Sequence, residues 1–122
     1  MKPTFKNFSI YQGQTFRDQL LLIDAAGDPV DLSAMTARMQ VRADIESPDA
    51  IVELTTDNGG IALAADGLLT FNISAADTAA LGAGQYDTQQ WVYDLELVTP
   101  AATPIVDRLL TGTVAFYPEI TR

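Results

Sequence analysis

An all-β sandwich is the fold class this sequence predicts, and three observations predict it. Apolar and polar residues alternate with period two along most of the chain, turn-forming residues interrupt them at short intervals, and only one stretch reads as helix. The clearest alternation runs from Met35 to Ala43. There Met35, Ala37, Met39, Val41 and Ala43 share one side of an extended chain, and Thr36, Arg38, Gln40 and Arg42 share the other. The pattern recurs in Leu69, Phe71 and Ile73, and again in Trp91, Tyr93, Leu95 and Leu97 against Val92, Asp94, Glu96 and Val98. Shorter apolar or β-branched runs at Phe8–Ile10, Thr15–Asp24, Ile51–Thr55, Ile61–Leu63 and Ile105–Tyr117 bring the expectation to seven or eight strands.

Gly13, the Gly27-Asp28-Pro29 turn, Asn58-Gly59-Gly60, Asp66-Gly67 and the Pro100–Pro104 stretch separate these runs. Connections this short suit antiparallel pairing, because parallel neighbours need long crossovers. The helical stretch is Ala75–Leu81, with Ser74 placed to cap it, Asp77 in its first turn and Gly82 or Gly84 to end it. A brief helix followed by Gly84-Gln85-Tyr86 and a strong strand is the pattern of the E–F corner in immunoglobulin-like sandwiches, with Tyr86 as the corner tyrosine. The expected fold is thus an immunoglobulin-like antiparallel β-sandwich of seven or eight strands with one short helical turn at residues 75–81, in one domain spanning residues 1–122. Pairing the Met35–Ala43 strand with the Trp91–Val98 strand sets Arg38 and Arg42 against Asp94 and Glu96 as cross-strand charge pairs.

The composition bears on chemistry. The chain has neither cysteine nor histidine, which removes disulfides, thiolate metal sites and the commonest general base. Lys2 and Lys6 have no serine setting that would make a hydrolytic pair. Sixteen acidic residues against seven basic ones give a net charge of −9, which opposes binding to nucleic acid and to anionic membranes. No apolar run is long enough to cross a bilayer, so membrane insertion is not expected. The opening Met1-Lys2-Pro3-Thr4-Phe5 lacks the pattern of a signal peptide, and synthesis and folding in a cytosol are expected. Asp24, Asp28 and Asp31 cluster at the Gly-Pro turn. Their spacing does not match an EF-hand calcium loop, and they read as turn formers rather than metal ligands. No catalytic residue and no cofactor are expected.

Phe8, Phe16, Phe71, Trp91, Tyr93 and Phe116 alternate with polar neighbours as core residues do. The segments Phe5–Ile10 and Ala115–Arg122 are the expected sheet borders, where unpaired backbone could extend a neighbour's sheet. Tyr11, Tyr86 and Tyr117 lie near strand ends where a ring can contact a partner, and with Phe5, Phe8, Ile120 and Arg122 of the border segments they are the interface candidates.

Several local strings carry a resemblance. Gln12-Gly13-Gln14-Thr15-Phe16, Gly27-Asp28-Pro29-Val30-Asp31-Leu32, Thr36–Arg42, Phe71–Thr78, Tyr93-Asp94-Leu95-Glu96-Leu97 and the closing Pro118–Arg122 resemble a family of small bacteriophage tail proteins of collar or baseplate type. The chain is similar, more loosely, to the N-terminal domain of phage baseplate upper proteins. The resemblance covers nearly the whole chain and departs at Asp87–Trp91, which lengthens the link from the corner to the next strand. It implies a virion component that forms a ring with copies of itself and holds other tail or fibre proteins, an adaptor rather than a long fibre. Two other functions fit the same composition: a capsid decoration or head-fibre protein, and a host-glycan-binding module that would need Trp91 or two tyrosines exposed on one face.

Overall fold

A computed structural model describes residues 3–121. In chain order the elements are β1 (Thr4–Phe5), β2 (Phe8–Tyr11), β3 (Phe16–Leu21), β4 (Thr36–Arg42), β5 (Val52–Thr55), β6 (Ile61–Leu63), β7 (Leu68–Ile73), α1 (Ala75–Leu81), β8 (Gln89–Val98) and β9 (Val106–Tyr117). They form two sheets. The first runs β1-β9-β8-β4-β5 with β2 also on β9, and the second runs β3-β7-β6. The described residues are all-β apart from one short helix.

Among the described residues nine strands form where seven or eight were expected. The addition is β1, two exposed residues whose sequence carries no alternation to reveal it. Pairing is antiparallel except at one border, where β1 and β2 run parallel to β9, Thr4 opposite Leu110 and Phe8 to Tyr11 opposite Val114 to Tyr117. Short links forbid parallel neighbours, but nearly the whole chain separates β2 from β9, and that length supplies the crossover. Of the two segments expected to be sheet borders, Phe5–Ile10 does end the strand order, with β9 on one side, whereas Ala115–Tyr117 is covered by β2. Between Ala115 and Tyr117, β9 has β2 on one side, and its Ala115 and Phe116 also have β8 on the other.

The interior is built from the inward halves of these alternations. Phe71, Phe116, Leu32, Leu69, Leu95, Leu110, Val41 and Val114 are fully buried, and residues of both sheets belong to one core cluster. Each such burial stabilises by roughly 1.5–3 kcal/mol. Phe8 joins the sheets, meeting Phe16 and Phe71 edge-on at centroid distances of 5.7 and 5.3 Å and Tyr93 at 5.1 Å. A register shift between Leu95 and Glu96 makes Leu109 an extra residue on β9, so that Leu109 and Leu110 both pack on the core.

Polar contacts close the end of the sandwich near α1. The Ser74 hydroxyl accepts from Asp77 N–H at 3.2 Å, capping the helix. Thr78, completely buried, donates to the Gln14 carbonyl at 2.9 Å and accepts from Gly13 N–H at 3.1 Å. The Gln12 carboxamide donates to the Ala79 carbonyl at 3.0 Å and accepts from Glu119 N–H at 2.8 Å. The Gln12-Gly13-Gln14 string thus ties the β2–β3 turn to the helix and to the chain after β9.

Gly112 shows how tightly the parallel border fits. It faces Tyr93 in the β8–β9 register, and a Cβ there would run into the Lys6 carbonyl oxygen. Gly112→Ala should lower stability by about 1–3 kcal/mol through forced displacement of backbone. Urea unfolding followed by circular dichroism measures this, and an unchanged midpoint would show that the Lys6 peptide yields freely.

Candidate interaction face

Along the first sheet, strands that bury one side present the other to solvent. The β4–β8 register sets Arg38 opposite Glu96, Gln40 opposite Asp94 and Arg42 opposite Val92. Arg38 Nε lies 2.7 Å from Glu96 Oε1, a partly exposed pair worth about 0–1 kcal/mol. The sequence reading set Arg42 against an acid as well, and the register corrects it. Arg42 donates to Gln40 Oε1 at 2.6 Å and to the Ser47 carbonyl at 3.0 Å, while Asp94 pairs with Arg108 of β9 at 3.4 Å. Gln40 in turn donates to Glu53 of β5 at 2.6 Å. Arg38, Arg42 and Arg108, three of the chain's seven basic residues, here balance Glu53, Asp94 and Glu96 on a chain of net charge −9.

Beside this charged ladder lies a shallow groove of about 500 Å³ whose lining includes Phe5, Arg42, Ile45, Val92, Arg108 and Gly112. Phe5 and Ile45 stand among its walls at 81% and 89% exposure, and Gly112 contributes no side chain. At the end of β2 and β9, Tyr11 and Tyr117 stack on each other with centroids 4.9 Å apart and planes 15° from parallel. Their shared register position places them side by side, both partly exposed. Ile120, 93% exposed, follows three residues later, and Arg122 lies outside the described residues.

Two other candidates stand differently. Phe8 is buried at the centre of the aromatic cluster and offers no surface, because β2 turns it inward while Ser9 and Tyr11 face out. Tyr86 is 72% exposed on the link between α1 and β8. Tyr93 is buried, and its hydroxyl donates to the Lys6 carbonyl at 2.5 Å. Lys6 Nζ sits 3.9 Å from Asp18 and 5.3 Å from the Phe8 ring centroid. Trp91 is buried and stacks on Phe116 at 4.8 Å, so its ring is in the core and not on a sugar-binding surface. Ile45, Arg108 and Gly112 had escaped the sequence reading. An isoleucine inside a polar loop and a lone glycine inside a strand were the available signals.

The aspartates of the Gly-Pro turn act locally. Asp24 accepts from the N–H groups of Ala26 and Asp28 at 2.9 and 3.0 Å. Asp31 accepts from the hydroxyl and N–H of Ser33, which hold its carboxyl below the usual range. Among the described residues no group of three or more acidic side chains is arranged to hold a metal ion, and no helix is long and apolar enough to cross a membrane. No family model matches the chain, and no curated protein matches it.

Burial, and secondarily the Asp18 carboxylate, push the Tyr93 phenol well above its ordinary value of 10.0. The folded state keeps this proton at a pH where an unfolded chain gives it up. Stability is therefore untouched below the ordinary value and falls as pH climbs from it toward the raised one. Tyr93→Phe should remove that alkaline decline and cost about 1 kcal/mol at neutral pH by orphaning the Lys6 carbonyl. Urea midpoints measured across the alkaline range for both proteins test this, and parallel pH curves would refute it.

Proposed function

We propose that this chain is a structural virion protein of a bacteriophage tail. In this reading it is a collar- or baseplate-type adaptor that forms a symmetric ring with copies of itself and holds neighbouring tail or fibre proteins. Its sandwich is read as immunoglobulin-like. The order β9-β8-β4-β5 over β3-β7-β6, with α1 linking β7 to β8, corresponds to strands G-F-C-C′ over B-E-D with a helical E–F corner. The resemblance of the turn and strand strings to small phage tail proteins supports the same assignment.

The observation that carries the functional reading is the outer face of the first sheet. A charge-balanced ladder runs beside exposed Phe5, Tyr11, Tyr117 and Ile45 on a molecule that is otherwise strongly acidic. Aromatic anchors beside polar groups already held in place suit repeated contact between flat surfaces. A ring multiplies modest contacts, so no single deep pocket is needed for tight assembly.

Phe5→Ser combined with Tyr11→Ser changes only exposed side chains. The double variant should keep the native circular dichroism spectrum while its content in purified phage particles drops about tenfold or more. Quantitative mass spectrometry of the particles, with native mass spectrometry of the free protein for ring formation, reads the result. Incorporation at the wild-type level would count against this face.

A further inference from the structure

A second surface lies at the other end of β8 and β9 from Tyr11 and Tyr117. Leu22, Val30, Leu32, Met35, Leu97 and Leu109 line a cleft of about 330 Å³ there, with Asp24 and Asp107 also in its wall. Ile23, which lines the cleft, and Ile105 and Val106, which adjoin Asp107 in the chain, are exposed. The loops of this end, residues 22–35, 64–67 and 99–107, contain five aspartates (24, 28, 31, 66 and 107) and neither lysine nor arginine.

Backbone bonds hold the cleft open as a formed shape. Leu22 N–H donates to the Gly67 carbonyl at 2.8 Å, Val30 N–H to the Leu22 carbonyl at 3.1 Å and Leu32 N–H to the Ala64 carbonyl at 3.2 Å. Gly67 has φ +84° and lies so close to the Leu22 carbonyl oxygen that a side chain would not fit. A formed apolar cleft spares its occupant the cost of ordering the loops.

We propose that this cleft docks a segment of a partner protein carrying an apolar side chain flanked by lysine or arginine. The volume is near the small end of the roughly 300–1,000 Å³ of ligand sites, enough for one or two apolar side chains. The surrounding charge selects what stands beside them. The base next in sequence, Arg108, is paired with Asp94, and the five aspartates repel phosphates, anionic lipid and acidic peptides and attract ammonium and guanidinium groups. Asp24 and Asp31 keep free lone pairs after serving their turns. The site is separate from the outer face of the first sheet and does not depend on the virion reading.

Three synthetic peptides test it on the full-length ¹⁵N-labelled protein: GKRVFVKRG, its acidic counterpart GEEVFVEEG, and GKRSSSKRG, which lacks the apolar centre. Only the first should bind, with amide shifts confined to residues 22–35, 64–68 and 97–109. Asp24→Asn with Asp107→Asn, which preserves the Asp24 turn acceptor, should weaken it about three- to tenfold. Ile23→Ser, at an exposed position, should weaken it without altering the fold. Equal binding of the acidic peptide, binding of the serine peptide, shifts on the first sheet's outer face, or no shifts would each overturn the proposal. So would the same amides shifting with protein concentration alone, which would make a second copy the occupant.

Discussion

The parallel seam along β9 is the constraint on which the rest of the molecule depends. Lys6 sits at the crux: its N–H donates to the Thr111 carbonyl at 3.0 Å, its carbonyl accepts from the Tyr93 hydroxyl, and its peptide rests against the bare backbone of Gly112. Asn7 adds a clamp, accepting from the N–H and hydroxyl of Thr113, both at 3.1 Å. Because the seam is fixed, Phe8 and Ile10 point inward to close the core, and Phe5 and Tyr11 point outward to build the face. The seam also joins residues more than a hundred positions apart. Such contacts form only after a large loop is closed, which makes slow, all-or-none folding the physical expectation.

The two ends of the sandwich are finished by different means. Near α1, side chains do the tying, through Thr78, Gln12 and the Ser74 cap. At the opposite end, main-chain bonds and glycine-tight contacts shape the loops, leaving apolar side chains to line a cleft instead of filling it. Side-chain bonds hold the first end and main-chain bonds the second. In the adaptor role proposed above, the flat face and the cleft are separate surfaces that two neighbours can engage together.

Much of this was legible in the residues. Alternation at Met35–Ala43, Leu69–Ile73 and Trp91–Val98 marked β4, β7 and β8, because a strand with one wet face cannot avoid the signature. Ser74 and Asp77 marked the helix for an equally local reason. Arg38 against Glu96 could be read once β4 and β8 were taken as neighbours. What escaped was non-local. Nothing within Thr4–Phe5 says that it pairs with Leu110–Thr111, and nothing within Phe8–Tyr11 says that it runs parallel to Val114–Tyr117. Arg42 was misassigned because its partners depend on register and on the path of the loop through Ser47, neither of which alternation specifies. The groove was missed for a similar reason: Phe5, Ile45, Val92 and Arg108 come from three strands and a loop, and they meet only when these are laid together.

Trp91 is the only tryptophan of the chain, and it lies flat on Phe116 across the β8–β9 pair. Its indole emission consequently reports on one event, the seating of the last strand against its neighbour. Light absorbed by this single ring gives a built-in optical gauge of whether the sandwich is closed, with no label attached.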